Sequence, residues 1–143
     1  MSGNARSNAR GNEIEKRAVR AQERQGYVIE RAKRTFFPIG KNGPLRSRRN
    51  DIFGAFDMTA IHATRPTLHV QVSTAHNLAA KRNKVDAFLA AHPKLIGSTY
   101  HSFQVWGWGR WDETGYGFKR EERLIDGWSD LPFIPSSETR KAT

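Results

Sequence analysis

Two segments near the middle of the chain carry the side chains most suited to chemistry. Asp57 interrupts the otherwise apolar stretch 53–61, and a buried carboxylate there must be paired, hydrogen-bonded or bound to a metal ion. In the segment 67–74, strict alternation of apolar and polar residues puts Gln71 and Ser73 on the same side of a strand. Mg²⁺ prefers oxygen ligands, so these side chains, with a further acid, could together hold this ion.

The further acid comes from the first predicted helix. Asn12 can cap this helix, which is expected to run to about Gln25 and to end at Gly26. Glu15 lies beside the thin apolar stripe of the helix, near the edge that should be buried. Glu15 is therefore a predicted third contributor to the cation site.

The elements that must position these residues follow from hydrophobic periodicity and from the turn residues. The order helix, three strands, helix, strand predicts an α/β fold with a mixed central sheet, because a helix that connects neighbouring strands usually makes them parallel. We expect a single domain over residues 12–127, a disordered basic tail over 1–11 and a C-terminal tail over 128–143. After the first helix, the predicted elements are a strand at 27–35, a basic loop at 38–50, strands at 52–62 and 67–74, a helix at 78–91, a strand at 102–111 and a short last element at 117–125.

Positive charge is concentrated in the first third of the chain. Residues 1–50 hold 13 Lys and Arg against 4 Glu, whereas residues 51–143 hold 11 against 10, which together give the net charge of +10. This asymmetry favours a polyanion such as nucleic acid, although basic residues can also simply solvate a tail and a helix face. The cations expected to contact nucleic acid are Arg17, Arg20, Arg24, Lys33, Arg34, Lys41, Arg46, Arg48, Arg49, Lys81, Arg82 and Lys84.

Composition excludes several other classes of site. The chain has no cysteine, which removes disulfides, thiolate zinc sites and cysteine nucleophiles. It lacks both an apolar run of about 20 residues and a signal peptide, so we expect a cytoplasmic protein. Three tryptophans alternate with other residues along one predicted strand and belong to the core or stack on bases: Trp106, Trp108 and Trp111.

The chain resembles the PD-(D/E)XK, or restriction-endonuclease-like, nucleases, and among them the Holliday-junction-resolvase-like proteins of archaea and phages. The segments that carry the resemblance are NEIEKRAVRAQERQGYVIERAKRT, DIFGAFDMTAI, LHVQVST and AAKRNKVDAFL. Asp57 matches the aspartate of the family motif, and Gln71 matches its second acidic position, where some branches have glutamine. The resemblance covers roughly residues 13–111 and implies the family's αβββαβ core.

The resemblance also implies the cofactor and the site. Mg²⁺ or Mn²⁺ would be bound by Asp57, the Gln71 side chain and the Val72 carbonyl, with help from Glu15, and would activate the water that attacks a phosphodiester. Position 73 is serine where the family has a lysine that orients this water. Two lysines of the following helix, Lys81 and Lys84, are the available replacements.

The implied function is a metal-dependent endonuclease that cuts branched or structured DNA as a homodimer. A rival from the same fold is a protein that binds DNA or RNA without cutting it, as an accessory in recombination, repair or packaging. The serine at position 73 favours this rival. A third possibility is a basic RNA-binding or virion structural protein, which would keep the charge but would not need the Asp57–Gln71 pair.

Each site residue also has an ordinary structural interpretation. Asp57 could form an ion pair with Arg31, Arg34 or another basic residue. Gln71 and Ser73 could be on the solvent face of a half-buried strand, and Glu15 could cap its helix or form ion pairs on the helix surface. Asp51 is a rival for the metal, and the five histidines are expected to be structural.

Overall fold

Two α-helices flank the sheet of the computed structural model, which describes residues 3–111 and 115–141. Helix α2 spans Leu78–Ala91, as predicted. Helix α1 spans Gly3–Arg24, so residues 3–11 are helical rather than a disordered tail, and Asn12 lies inside the helix rather than at its cap. Alanine and arginine favour helix, which explains the extension. Neither helix is long and apolar enough to cross a membrane.

Six strands of the described chain form one sheet, and two strands form a separate hairpin. The sheet order is β1-β4-β5-β6-β7-β8, and β2 pairs only with β3. The strands are β1 (Val28–Arg31), β2 (Lys33–Pro38), β3 (Leu45–Asn50), β4 (Met58–Ile61), β5 (Thr67–Thr74), β6 (His101–Trp111), β7 (Gly115–Leu124) and β8 (Gly127–Pro135).

The sheet is mixed, as the sequence predicts. Strand β5 runs parallel to β6, and α2 is the crossover between them. The remaining neighbours in the sheet pair antiparallel. A crossover helix reverses the chain direction once and the return strand reverses it again, which is why the two strands it joins run the same way.

Two apolar clusters lie on opposite faces of the sheet. The cluster under α1 contains Ile14 and Ala18 packed against Val70 and other residues of the sheet. The cluster under α2 contains Val85 packed against Phe103 and their neighbours. Strand β5 is therefore covered on both faces, and all its residues from 68 to 73 are buried. The prediction that its polar residues form a solvent face is wrong, because α2 covers them.

Several predicted boundaries differ from the structure. The strand predicted at 27–35 is two strands, β1 and β2, separated at Ala32. The predicted basic loop at 38–50 contains β3, which pairs with β2, so its basic residues belong to a hairpin. In the strand predicted at 52–62, only Met58–Ile61 is extended in the sheet, because Phe53 and Gly54 adopt positive φ angles of 55° and 70° and turn the chain.

The predicted C-terminal tail also joins the sheet. Residues Gly127–Pro135 form β8, which pairs antiparallel with β7. A short 3-10 helix, Ser136–Thr139, follows β8 and packs against α1. Prolines and serines in this segment lower its strand propensity, and pairing with β7 overrides that local preference.

Candidate active site

Asp57 links the start of β4 to the carboxyl-terminal end of β5 through a side-chain hydrogen bond. It directly precedes β4, its residue is only 2% exposed, and its Oδ2 accepts a hydrogen bond of 2.6 Å from the backbone N–H of Val72. Strand β4 pairs with β5 only as far as the Met58–Val70 pair, so the carboxylate accepts from an amide that lies beyond this pairing. Two backbone bonds also hold Asp57: its N–H donates to Val70 O at 2.9 Å, and its carbonyl accepts from Ala32 N–H at 2.7 Å.

A pocket of about 430 Å³ opens beside Val72, at the carboxyl end of β5. Four of the residues predicted to bind the metal or to act in catalysis line it, and Asp57 reaches this edge through its bond to Val72. Helix α1, strand β2, the end of β5 and the start of α2 supply the walls. The lining residues are Arg10, Gly11, Asn12, Ile14, Glu15, Arg34, Val72, Ser73, Thr74, His76, Asn77 and Lys81.

Glu15 is the buried acid of this pocket. Its Oε2 lies 3.6 Å from Nη2 of Arg31, so this ion pair reaches across from α1 to β1. The same Arg31 nitrogen donates to Asn12 Oδ1 at 2.8 Å. Three cationic residues also line the pocket, namely Arg10, Arg34 and Lys81. A pocket with more cations than acids favours an anionic ligand.

Gln71 and Ser73 are both buried, but they differ in their hydrogen bonds and in whether they line the pocket. The Gln71 amide nitrogen donates to the carbonyl of Ala55, and Gln71 does not line the pocket. Its Oε1 is buried and has no hydrogen-bond partner among the described residues. Ser73 lines the pocket and donates its hydroxyl to Thr74 O at 2.7 Å, which leaves oxygen lone pairs but no positive charge at this position.

The two lysines proposed as replacements have different environments. Lys81 lines the pocket and forms no ion pair with any residue that the structure describes. Lys84 instead pairs with Asp51, at the turn before β4. Asp51, the rival for the metal, is therefore committed to a separate ion pair. Of the two lysines, Lys81 is the one that lines the pocket.

The predicted nucleic-acid contacts on α1 form a second cationic patch away from the pocket. Arg17 and Arg20 each lie 3.8 Å from Glu13, and the Arg17 guanidinium lies 4.7 Å above the ring of Trp108. Arg24 donates to the carbonyl of Arg140 at 3.1 Å. This α1 patch also includes Arg140 and Lys141, which line two further pockets with the α1 arginines.

The other predicted contacts lie on the hairpin and on α2. Lys33 lies 3.8 Å from Glu30, and Arg82 is committed to Glu121 at 2.5 Å. Lys41 and Arg46 are exposed on the hairpin. The side chains of two further predicted contacts lie outside the described part of the structure, namely Arg48 and Arg49.

The three tryptophans of β6 differ in burial. Trp106 is buried in the cluster under α1 and donates its Nε1–H to Gln104 at 2.8 Å. Trp108 is half-buried beneath Arg17, and the ring of Trp111 lies 5.3 Å from Nζ of Lys119. The core interpretation is therefore confirmed for Trp106, which has no face open to a base.

Sequence reasoning missed two residues of the pocket beside Val72. His76 and Asn77 line this pocket. They directly follow β5, and the end of a strand that leads into a crossover helix is a common place for ligand contacts. That position is the signal that could have identified them.

A separate pocket of about 370 Å³ is lined mainly by aromatic residues and contains three of the five histidines. His69 interacts with Thr59 Oγ1 at 3.2 Å and with Nδ1 of His101 at 3.0 Å, and its ring stacks on Phe103 at 5.1 Å. Burial, and then the neighbouring charge of His101, lowers the pKa of His69 from 6.5 to about 4. His69 is therefore neutral at pH 7. The lining residues are Phe53, His69, Phe88, His92, Leu95, His101 and Phe103.

Neither pocket contains a conventional metal cluster. Within residues 3–111 and 115–141, no three histidine, aspartate or glutamate side chains are grouped so that they could bind a metal ion by themselves. A bound cation would therefore need backbone or amide oxygens in addition to carboxylates. Comparison of the chain with models of protein families, with curated proteins and with solved structures finds no match.

Proposed function

We propose that this protein is a metal-dependent endonuclease that acts on branched or structured DNA. The observation that carries the proposal is the position of Asp57, a buried acid bonded to the backbone of Val72 at the edge of the cationic pocket. Glu15 and Lys81 face the same pocket. A phosphodiesterase needs acids for a cation and positive charge for the phosphate, and both are supplied here.

The chain topology supports the resemblance to restriction-endonuclease-like nucleases. Helix α1 precedes an antiparallel set β1-β4-β5, and α2 then leads to β6 parallel to β5. This is the αβββαβ order that the resemblance implies. The hairpin β2–β3 is inserted after the first of these strands, and β7 and β8 extend the sheet at the other edge.

The residues at this edge fit a hard divalent cation such as Mg²⁺ or Mn²⁺. Asp57 and Glu15 offer carboxylates, and Val72 offers a backbone carbonyl. Gln71 does not line the pocket, but its buried Oε1 has no partner among the described residues, and an oxygen in that state is suited to coordination. Mg²⁺ keeps several waters, so few protein ligands suffice. When bound, the ion would supply Lewis-acid activation of the phosphate and of a water.

The chain's own residues then have distinct tasks. Arg34 and Lys81 would bind the phosphate oxygens, because both line the pocket and both carry positive charge. Lys81 would also offset the negative charge that develops on the phosphate, which is the role that the resemblance implies for the lysine of the family motif. Ser73 can hydrogen-bond a water but carries no positive charge. Lys81 would therefore supply the positive charge that the family lysine supplies from position 73.

The α1 patch extends the binding surface beyond the pocket. Its five cations, Arg17, Arg20, Arg24, Arg140 and Lys141, lie along one side of α1 and the segment after β8. Phosphate contacts of this kind position nucleic acid without selecting sequence. A homodimer would present two such sites, which symmetric cuts on two strands of a junction require.

The test is cleavage of labelled four-way junction, flap, duplex and single-stranded DNA with Mg²⁺, Mn²⁺ or EDTA. Asp57→Asn should abolish metal-dependent cleavage while it retains DNA binding, because the amide oxygen can still accept from Val72 N–H but the negative charge is lost. Asp51→Asn is the matched control, since the Asp51 carboxylate is also largely buried but forms its ion pair with Lys84. Equal cleavage by wild type and Asp57→Asn would refute the assignment of the site.

The second candidate is a nuclease-fold protein that binds nucleic acid without cutting it. The observations that favour it are Ser73, which donates to Thr74 O where a lysine would stand, and Gln71, whose amide nitrogen is committed to Ala55. Tight binding with no cleavage under any of the metals would support this candidate over the enzyme.

A further inference from the structure

We infer that the β2–β3 hairpin is a nucleic-acid-binding arm, and that Phe36 stacks on a base of the strand whose phosphate occupies the pocket. The inference rests on the proposed function and adds to it a binding arm and the residue that contacts the bases. Neither the family motif nor the acids of the pocket involve this hairpin residue. Three features of the arm carry the inference: its exposure, its charge and its register.

The part of the arm whose side chains the structure describes is exposed on both faces. Every residue of β2 is exposed, and β2 and β3 pair with each other but not with the main sheet. Phe36 is 66% exposed and Leu45 is 70% exposed. A two-stranded hairpin is only marginally stable alone, and large apolar side chains left in water mark a surface that a partner covers.

The charge of the arm selects the class of partner. The sequence from Lys33 to Asn50 contains six lysines and arginines and no acid. A second copy of the arm would therefore be repelled, whereas a polyanion would be attracted. Exposed aromatic rings among cations bind nucleic acid in two ways at once, since the cations contact phosphates and the rings stack on bases.

The register directs one face of the arm towards the active site. Arg34 and Phe36 are two positions apart on β2, so they share a face, and Arg34 lines the pocket. Leu45 pairs with Pro38 and lies on this same face, diagonal to Phe36. Phe37 and Arg46 lie on the opposite face.

The spacing between Arg34 and Phe36 suits contact with one nucleic-acid strand. Two positions along a β-strand span about 6.7 Å, so a phosphate at Arg34 would leave a nearby base of the same strand within reach of Phe36. Apolar side chains of this size stack on unpaired bases or wedge between paired ones, which would favour the open centre of a branched substrate.

The test is binding of a four-way junction and of single-stranded DNA in EDTA, so that the result does not depend on cleavage. A fluorescent adenine analogue at successive positions reports stacking. We expect Phe36→Ala to weaken binding about 5- to 150-fold and to abolish the fluorescence change at one position. Phe36→Trp, which retains an aromatic face, should restore both. Phe37→Ala is the matched control, because it removes the same ring from the other face.

Two outcomes would overturn the inference and leave the proposed function intact. The first is equal loss of affinity in Phe36→Ala and Phe37→Ala, which would show that the arm contributes without the proposed orientation. The second is an unchanged affinity in Phe36→Ala, which would remove Phe36 from the DNA contact. If the wild type is a dimer in sedimentation velocity and Phe36→Ala is a monomer, the arm is instead a contact between copies. Wild-type protein that binds none of the DNAs would instead refute both proposals together.

Discussion

The buried His69, with its neighbour His101, makes the stability of this protein depend on pH in the mildly acidic range. His69 titrates with a pKa of about 4 in the folded chain, because burial and the charge of His101 oppose its protonation. An exposed histidine in the unfolded chain titrates near 6.5. Between these values, the unfolded chain binds a proton at His69 that the folded chain does not bind. The contribution to stability is therefore fully present above about pH 6.5 and is lost as the pH falls towards 4.

The size of the effect follows from the two pKa values. Between about pH 7.5 and about pH 5, a group that titrates at 6.5 unfolded and at 4 folded lowers the free energy of unfolding by about 2 kcal/mol. His101 is only half-buried, which lets solvent screen part of the interaction. We therefore expect His69 to account for a loss of about 1 to 2 kcal/mol over this interval.

The assay is urea unfolding of the wild type and of His69→Gln at several pH values between these limits. The variant will be less stable at neutral pH, because Thr59 and His101 lose their partner. Its free energy of unfolding should nevertheless depend less steeply on pH. His76→Gln is the control, since His76 is exposed and its removal should leave the steep dependence unchanged.

The decisive quantity is the difference between the two pH profiles. A His69→Gln profile parallel to that of the wild type would refute the assignment, because the acid sensitivity would then arise from other groups. Loss of the steep dependence in His76→Gln would refute it equally.

Three further predictions concern charge and backbone geometry. Lys81→Met should lower the cleavage rate about 100-fold, whereas Lys84→Met should lower only stability, as cleavage and urea assays on both would show. Arg46→Ala, on the exposed arm, should reduce the slope of log affinity against log salt by about 1. Gly26 has a φ of 90°, and a Cβ there would lie 3.0 Å from Nε2 of His62, so Gly26→Ala should lower the free energy of unfolding by about 1 to 2 kcal/mol, measured in urea.

Opposite results would be equally informative for these three variants. Full cleavage by Lys81→Met would remove this lysine from the proposed mechanism. An unchanged salt slope in Arg46→Ala would mean that the exposed arm makes no phosphate contact through this residue. A Gly26→Ala variant as stable as the wild type would show that the turn after α1 can relax without strain.

Local sequence patterns determined the elements that surround the site. The alternation in Thr67–Thr74 and the helical spacing in Leu78–Ala91 predicted β5 and α2 with the bounds that the structure has. The crossover helix also predicted the parallel pairing of β5 with β6. These features depend on neighbouring residues and on chain handedness, so a single sequence is enough to reveal them. The roles of Asp57 and Glu15 in binding a cation stay predictions.

The hairpin and the last strand were decided by pairing between distant segments. Prolines and glycines around 38–44 favour a loop, but residues 45–50 become extended because β2 offers them a partner. Strand β8 forms for the same reason against β7. Strand formation depends on hydrogen bonds to a neighbour, which a local pattern does not contain.

The environment of each site residue was likewise decided by tertiary structure. Alternation alone made Gln71 and Ser73 look solvent-facing, and the packing of α2 over β5 buries both. Lys81 and Lys84 are near neighbours on one helix, yet one lines the pocket and the other pairs with Asp51. The sequence therefore determined which residue types were available at the site. Only the packing of distant elements decided which of them are buried, paired or open to a ligand, because burial and ion pairing depend on what the rest of the chain places beside each side chain.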